Sequence, residues 1–246
     1  MKPTPIYMFH AIGVENDLVG ADPHYALSSS KFFELISKLG GGTSIKEVLS
    51  GRTIRPILTF DDGHITNYNA AKILFEEFNS QADFFINTSN VGKDNFLNWD
   101  QLREMQSWGM SIQSHGHEHI YLSDLDRNEQ CFQVRLSKEI LEHELGERVT
   151  ILAPPGGRYN QDTQELITEL GYEHLTISKP GKWSGQTISP RIPILSNSNS
   201  EHLASCQNGF SLFLMKQEIK YKVMGVAKTL LGNHSYDALR SRILGV

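Results

Sequence analysis

Short apolar runs alternate with helically spaced apolar positions along most of this chain. Apolar runs typical of buried strands occupy residues 5–9, 56–60, 83–87, 109–113, 149–153, 174–178 and 191–195. Helical spacing covers residues 29–39, 66–78, 98–108, 126–145 and 161–170. Seven strands separated mostly by helices predict parallel β/α units. We therefore expect an α/β fold, with a distorted seven-stranded (β/α) barrel covered by helices.

The C-terminal part of the chain has a different pattern. Between residues 210 and 231 apolar side chains alternate with lysines at near-helical spacing, and residues 210–246 carry six basic against two acidic side chains. One interpretation is a C-terminal helix docked on the body. The other is a basic amphipathic surface that rests on anionic lipid or on a partner. We expect residues 1–200 to form the barrel and residues 201–246 to form a basic helical extension packed on or beside it.

Composition narrows the class of protein. Of 246 residues, 39% are hydrophobic and 21% charged, as in a soluble globular protein, and the net charge of −5 argues against general nucleic-acid binding. Two distant cysteines give no disulfide framework, and the N-terminus lacks the apolar core of a secretory signal. We expect a cytoplasmic protein, with peripheral contact at the inner membrane face left open. The sequence specifies no oligomeric state.

Polar residues with catalytic potential follow the predicted strands. Asp61 and Asp62 end one apolar run directly before a glycine, and His115 and His119 follow a later run at i and i+4. His10 and the loop at 154–157 also come directly after strands. Barrel enzymes build their active sites at this end of the sheet.

One carboxylate with two imidazoles makes a three-ligand site that leaves positions open for water and substrate. Such a set suits zinc first, and also cobalt, nickel or iron. The remaining carboxylate would lie near the bound water as a candidate general base. These residues predict a metal-dependent hydrolase.

These segments resemble motifs of the polysaccharide deacetylases of the NodB-homology type, carbohydrate esterase family 4. The segment 59–63, TFDDG, matches the first motif without change, and 115–120, HGHEHI, keeps both histidines of the second. The resemblance spans roughly residues 6–195 and implies the NodB-type barrel. It further implies that Asp61 is the general base and that Asp62, His115 and His119 hold the metal.

The third motif of the family departs from its usual form here. The family has RPPYG where this chain has APPGG at 153–157, so Ala153 replaces the arginine that orients the base. Arg158 or Arg191 is the expected substitute. The backbone N–H of Gly156 remains available as the oxyanion donor, beside Pro154 in the same loop.

The late motif that supplies the general acid is absent after Arg191. His10, in the Tyr-Met-Phe-His segment at 7–10, resembles the N-terminal signature of a subgroup in which this role has moved. The alternative is a histidine that caps a strand or packs under a loop. Trp183 either lines a sugar site by stacking or covers the barrel mouth.

The resemblance implies hydrolysis of N-acetyl groups on an amino sugar, in a polysaccharide or in a lipid- or nucleotide-linked precursor. Two alternatives remain open. One is hydrolysis of another non-peptide C–N bond, such as a formamide or a cyclic amide. The other is a non-catalytic carbohydrate-binding relative, against which an intact Asp61 argues.

Overall fold

Strands and helices alternate along the computed structural model, which describes residues 2–51, 56–207 and 211–223. The strands are β1 (Thr4–Phe9), β2 (Ile12–Gly13), β3 (Leu27–Ser28), β4 (Ile57–Phe60), β5 (Asp83–Ile86), β6 (Ser111–Ser114), β7 (Ile151–Leu152), β8 (His174–Ile177), β9 (Lys182–Trp183), β10 (Ile188–Pro190) and β11 (Ile192–Pro193). The α-helices are α1 (Ser29–Leu39), α2 (Ile45–Leu49), α3 (Asn67–Phe78), α4 (Trp99–Ser107), α5 (Arg127–Leu145), α6 (Gln161–Glu169) and α7 (Ser200–Gln207). Each strand and helix expected between residues 5 and 195 has a counterpart among these elements.

Eight strands form one parallel sheet, in the order β10-β8-β7-β6-β5-β4-β1-β11. Arg191 alone separates β10 from β11 in sequence, yet these strands lie at opposite ends of this order. The two ends of the sheet therefore meet at Arg191, and the sheet is a nearly closed barrel. The predicted barrel fold is confirmed, with the strand expected at 191–195 replaced by two short strands that flank Arg191.

Helices cover the outside of the barrel with one apolar face each. In α1 the buried residues are Phe32, Leu35, Ile36 and Leu39, which follow the helical spacing of an amphipathic segment. Helices α4, α5 and α6 each begin with a reciprocal capping box, which satisfies backbone N–H groups at the helix start. These caps explain why the predicted helix starts lie close to the observed ones.

A second apolar cluster fills the barrel interior, and Trp183 is its largest member. The cluster comprises Ile6, Ile45, Ile57, Phe85, Ile151, Ala153 and Trp183. Strand β9 runs antiparallel to the start of β1, with Trp183 opposite Thr4, so this indole lies at the amino end of the strands. Trp183 is 1% exposed. The expectation that Trp183 lines a sugar site or covers the mouth is therefore wrong.

The C-terminal part of the described chain packs on the barrel. Leu203 and Cys206 of α7 belong to the main core, and the hydroxyl of Tyr7 donates to the carbonyl of Leu203 at 2.7 Å. Residues 212–223 are helical, within the helix predicted at 210–231. The rest of that prediction, from residue 224 on, lies outside the described residues, and the domain boundary at residue 200 stays a prediction. Across the described ranges, no helix combines the length and apolar character needed to cross a membrane.

Asp83 is a fully buried acid at the start of β5. One of its carboxylate oxygens accepts the backbone N–H of Ile45 at 2.5 Å, at the N-terminus of α2. Burial raises the pKa of Asp83 to about 7, and the N–H of Ile45 only partly opposes this. A carboxyl whose pKa is raised on folding binds protons more tightly in the folded state. Its contribution to stability therefore falls as pH rises from about 4 to about 7.

We predict that Asp83→Asn stabilises the protein at pH 8, by an amount on the order of a few kcal/mol, and much less at pH 5. The asparagine keeps an oxygen for the Ile45 N–H and carries no charge. Urea unfolding at the two pH values measures the difference, with the highly exposed Asp100→Asn as matched control. An Asp83→Asn effect of equal size at both pH values would contradict the assignment.

Candidate active site

The polar residues singled out in the sequence meet at the carboxyl end of the barrel. Asp61 and Asp62 follow β4, His115 follows β6, and His10 follows β1. Because the strands are parallel, these ends lie at one edge of the sheet. The sequence prediction of a shared site for these residues agrees with this arrangement.

Three side chains form a potential metal-binding cluster at this edge. Oδ1 of Asp62 lies 3.3 Å from Nε2 of His115 and 3.1 Å from Nε2 of His119. One potential ligand atom from each residue lies within 4.8 Å of the others. Burial raises the pKa of Asp62, but its close contacts with the His115 and His119 rings hold it well below its usual value. An ionised carboxylate beside two imidazole nitrogens is a competent ligand set for a divalent transition metal.

His115 is oriented from behind by the backbone of the third-motif loop. Its Nδ1 lies 2.5 Å from the carbonyl oxygen of Ala153, so Nδ1–H donates there and Nε2 faces Asp62. A carbonyl partner on the second nitrogen is the usual way to fix the ring and tautomer of a metal-binding histidine. Ala153 thus acts through its backbone, although it lacks the arginine side chain expected at this place.

The backbone is strained at two of the three cluster residues. Among the described residues, four non-glycine positions have positive φ, namely Asp62, Asn79, Asn95 and His119. Asparagine, aspartate and histidine adopt this conformation more often than other non-glycine residues, although it still costs backbone energy. Such strain persists where surrounding contacts hold it, and it concentrates at functional sites. Two of these four positions, Asp62 at φ 74° and His119 at φ 55°, thus belong to the cluster.

The carboxylate of Asp61 binds a different partner from the carboxylate of Asp62. Both of its oxygens are bound by the Arg191 guanidinium, at 2.6 and 2.8 Å, and both residues are almost fully buried. Burial would raise the pKa of Asp61, but Arg191, with a contribution from His115, holds that pKa below its usual value. Arg191, and not Arg158, therefore replaces the missing third-motif arginine. Arg191 reaches Asp61 from the junction of β10 and β11, where the two ends of the sheet meet.

A family model described as "Polysaccharide deacetylase" matches residues 52–175, half of the chain. The chain belongs to the polysaccharide deacetylase family. The matched residues contain both aspartates, both histidines and the third-motif loop.

Individual relatives agree with this membership. The chain is 25% identical over 181 residues to YxkH of Bacillus subtilis (strain 168), which is provisionally named a polysaccharide deacetylase. That match covers 72% of this chain and 65% of YxkH, so the chain spans slightly less than two thirds of this relative.

Solved structures share the fold. The deacetylase PplD of Streptococcus pyogenes, solved in complex with acetate, is 28% identical with a TM-score of 0.75, covering 84% of this chain and 99% of PplD. A polysaccharide deacetylase from Bacillus cereus has 24% identity and the same TM-score of 0.75, over 84% of this chain and 69% of its own. The fold of this chain is therefore that of NodB-type deacetylases.

The third-motif loop of this deacetylase family member is shaped by Tyr121. A Cβ on Gly156 would lie 2.7 Å from the Tyr121 ring, and Gly156 has φ 61°. The ring therefore occupies the space that a side chain at position 156 would need. Arg158 packs on this ring, with its guanidinium carbon 3.8 Å from the ring centroid. Nη1 of Arg158 lies 4.0 Å from Oδ2 of Asp124. The sequence analysis did not predict Tyr121 as a residue of the site. Its position two residues after His119 was the signal that could have indicated it.

His10 lies beside the two aspartates and under Tyr25. Its ring centroid is 4.4 Å from that of Tyr25, and its Nδ1 is buried without a hydrogen-bond partner among the described residues. Burial lowers the pKa of His10, and the charges of Asp62 and Asp61 partly oppose this. A nearby histidine with an unengaged ring nitrogen fits a proton-transfer role. The other predicted residue of the site, Pro154, is buried at the start of the third-motif loop.

We predict that Arg191→Met lowers the free energy of unfolding by about 3–5 kcal/mol, because it leaves Asp61 buried without its countercharge. Adding Asp61→Asn removes that charge, so the double variant should recover part of the loss. Urea unfolding of both single variants and the double variant gives the coupling energy.

Arg148→Met is the matched control for this cycle. Arg148 is exposed and lies 3.5 Å from Glu173, so its removal should change stability by less than about 1 kcal/mol. Purely additive effects of Arg191→Met and Asp61→Asn would show that the two side chains do not interact as described.

Proposed function

We propose that this chain hydrolyses N-acetyl groups on an amino sugar, as a metal-dependent hydrolase of non-peptide C–N bonds. One observation carries the proposal. Asp61, almost fully buried and paired with Arg191, directly precedes Asp62 of a three-residue cluster that can hold a metal. Family membership and the similarity to a deacetylase solved with acetate support the same reaction.

Asp62, His115 and His119 would hold the metal, and we propose zinc as the resident ion. Two imidazole nitrogens and one carboxylate form a set that zinc takes in catalytic sites, while cobalt, nickel and iron accept the same ligands. The fixed orientation of His115 toward Asp62 supports this assignment. When bound, such an ion would activate a water molecule and polarise the acetyl carbonyl.

Asp61 is the proposed general base. It takes a proton from the water as the water oxygen adds to the acetyl carbon. Arg191 binds both carboxylate oxygens and keeps Asp61 ionised, ready to accept that proton. The guanidinium thereby positions the base and does not touch the substrate.

The acetyl oxygen gains negative charge in this step, and the backbone N–H of Gly156 is the proposed donor to it. Breaking the C–N bond then requires a proton on the departing amine nitrogen, because an unprotonated amine is a poor leaving group. His10, in the imidazolium form that the charges of Asp62 and Asp61 favour, is the proposed donor of that proton. The products are acetate and the free amino sugar.

Among substrates, we propose an N-acetylated sugar in a polysaccharide or in a lipid- or nucleotide-linked precursor. The family description supports a sugar substrate. Cytoplasmic localisation stays a prediction from the sequence. The alternative of a non-catalytic carbohydrate-binding protein is less favoured, because such a protein would not need a carboxylate positioned by Arg191.

We predict that acetate is released from at least one member of a panel of N-acetylated oligosaccharides, nucleotide-sugars and lipid-linked sugars. Release should stop after chelation and return with zinc or cobalt. Asp61→Asn should lower kcat by at least about a hundredfold, since general-base catalysis contributes roughly 10²–10⁴. Asp100→Asn, at an exposed position of α4, is the matched control. Release of acetate without metal, or full activity of Asp61→Asn, would refute the mechanism. Preferential hydrolysis of a formamide would instead favour the alternative of an enzyme that acts on another non-peptide C–N bond.

We predict that Gly156→Ala lowers kcat/KM by at least about tenfold, because the new Cβ displaces the loop and its N–H donor. Gly146→Ala is the matched control, since Gly146 also has positive φ, at 68°, but has nothing within 4 Å of its Cβ position. The control should lose stability without losing activity. Equal activity of the two variants would argue against an oxyanion role for Gly156.

A further inference from the structure

The helix at 212–223 is attached to the body by one face. Leu214 is 7% exposed and belongs to the main core. Phe213 stacks on His202 of α7, with ring centroids 4.5 Å apart and planes at 11°. These contacts fix which side of the helix faces the protein.

The opposite side of this helix carries an exposed apolar stripe. Leu212, Met215, Ile219 and Val223 are 59%, 40%, 53% and 63% exposed. Their spacing of three, four and four residues places them within about a quarter of a turn of one another. Four large exposed apolar side chains in one row form a contiguous patch, which is typical of an interaction site. Single exposed apolar side chains, in contrast, are common on protein surfaces.

Lysines flank the apolar stripe on both sides. At 3.6 residues per turn, Lys216 and Lys220 lie on one side of it and Lys222 on the other. Glu218 is the single acid of residues 212–223. The long stems of lysines beside an apolar surface can extend their charges outward to anionic groups. The stripe thus combines apolar contact with positive charge along both borders.

We propose that this stripe docks on the surface of an anionic lipid bilayer, with the helix lying in the plane of the interface. The apolar side chains would enter the boundary of headgroups and acyl chains, and the flanking lysines would meet lipid phosphates. Charge complementarity favours this occupant over a second copy of the chain. A symmetric contact between two stripes would bring lysines of like charge together.

Co-sedimentation of the full chain with vesicles tests this proposal independently of any enzymatic activity. One set of vesicles contains phosphatidylcholine and phosphatidylglycerol in equal parts, and the other contains phosphatidylcholine alone. We expect strong preference for the anionic vesicles, weakened by salt. Leu212→Gln/Ile219→Gln should lower the partition coefficient by about tenfold or more. Each lysine changed to glutamine should lower it roughly fivefold.

Leu49→Gln is the matched control, because Leu49 is 45% exposed and belongs to α2 and not to the stripe. It should leave vesicle binding unchanged. The proposal is overturned if the wild-type chain ignores anionic vesicles, or if the stripe variant binds them as well as the control does. It is also overturned if light scattering shows a wild-type dimer that the stripe variant abolishes, since the stripe would then join two copies. Marked destabilisation of the stripe variant would likewise show that the protein itself covers these side chains.

Discussion

The ion pair between Arg191 and Asp61 is the constraint on which the site depends. Arg191 lies where the two ends of the sheet meet, so its guanidinium reaches Asp61 only when the barrel is closed. Burying two charges is costly, and their mutual attraction offsets this cost only with good geometry, here two short contacts to both carboxylate oxygens. Closure of the sheet and the ionised state of the proposed base are therefore coupled through one side chain.

Two adjacent aspartates have separate partners because the backbone turns between them. Asp61 continues from β4 toward Arg191 in the interior, whereas Asp62 adopts positive φ and turns its carboxylate toward the two histidines. His119 has the same unusual backbone conformation, and the Ala153 carbonyl fixes the ring of His115. The cluster is thus held by strained backbone and buried hydrogen bonds, as expected for a preorganised site.

Departures from the family motif are compensated by residues far away in sequence. The arginine missing at Ala153 is supplied by Arg191, and the side chain missing at Gly156 leaves room that the Tyr121 ring occupies. Arg191 thus keeps a positive charge beside Asp61, the proposed base, and Tyr121 keeps an aromatic surface beside the third-motif loop. A motif with substituted residues can therefore keep similar chemical groups around the site, because residues outside the motif supply them.

The sequence by itself determined the β/α order, the barrel class, and the acids and histidines at the strand ends. These features depend on local rules, namely the period of apolar residues, helix caps and turns after strands. Tertiary structure alone decided that Arg191 and not Arg158 binds Asp61, and that Trp183 lies inside the barrel. Arg191 and Asp61 are 130 residues apart, and Trp183 is placed by antiparallel pairing with the first strand. Contacts of this kind join residues far apart in sequence, and no local pattern encodes them.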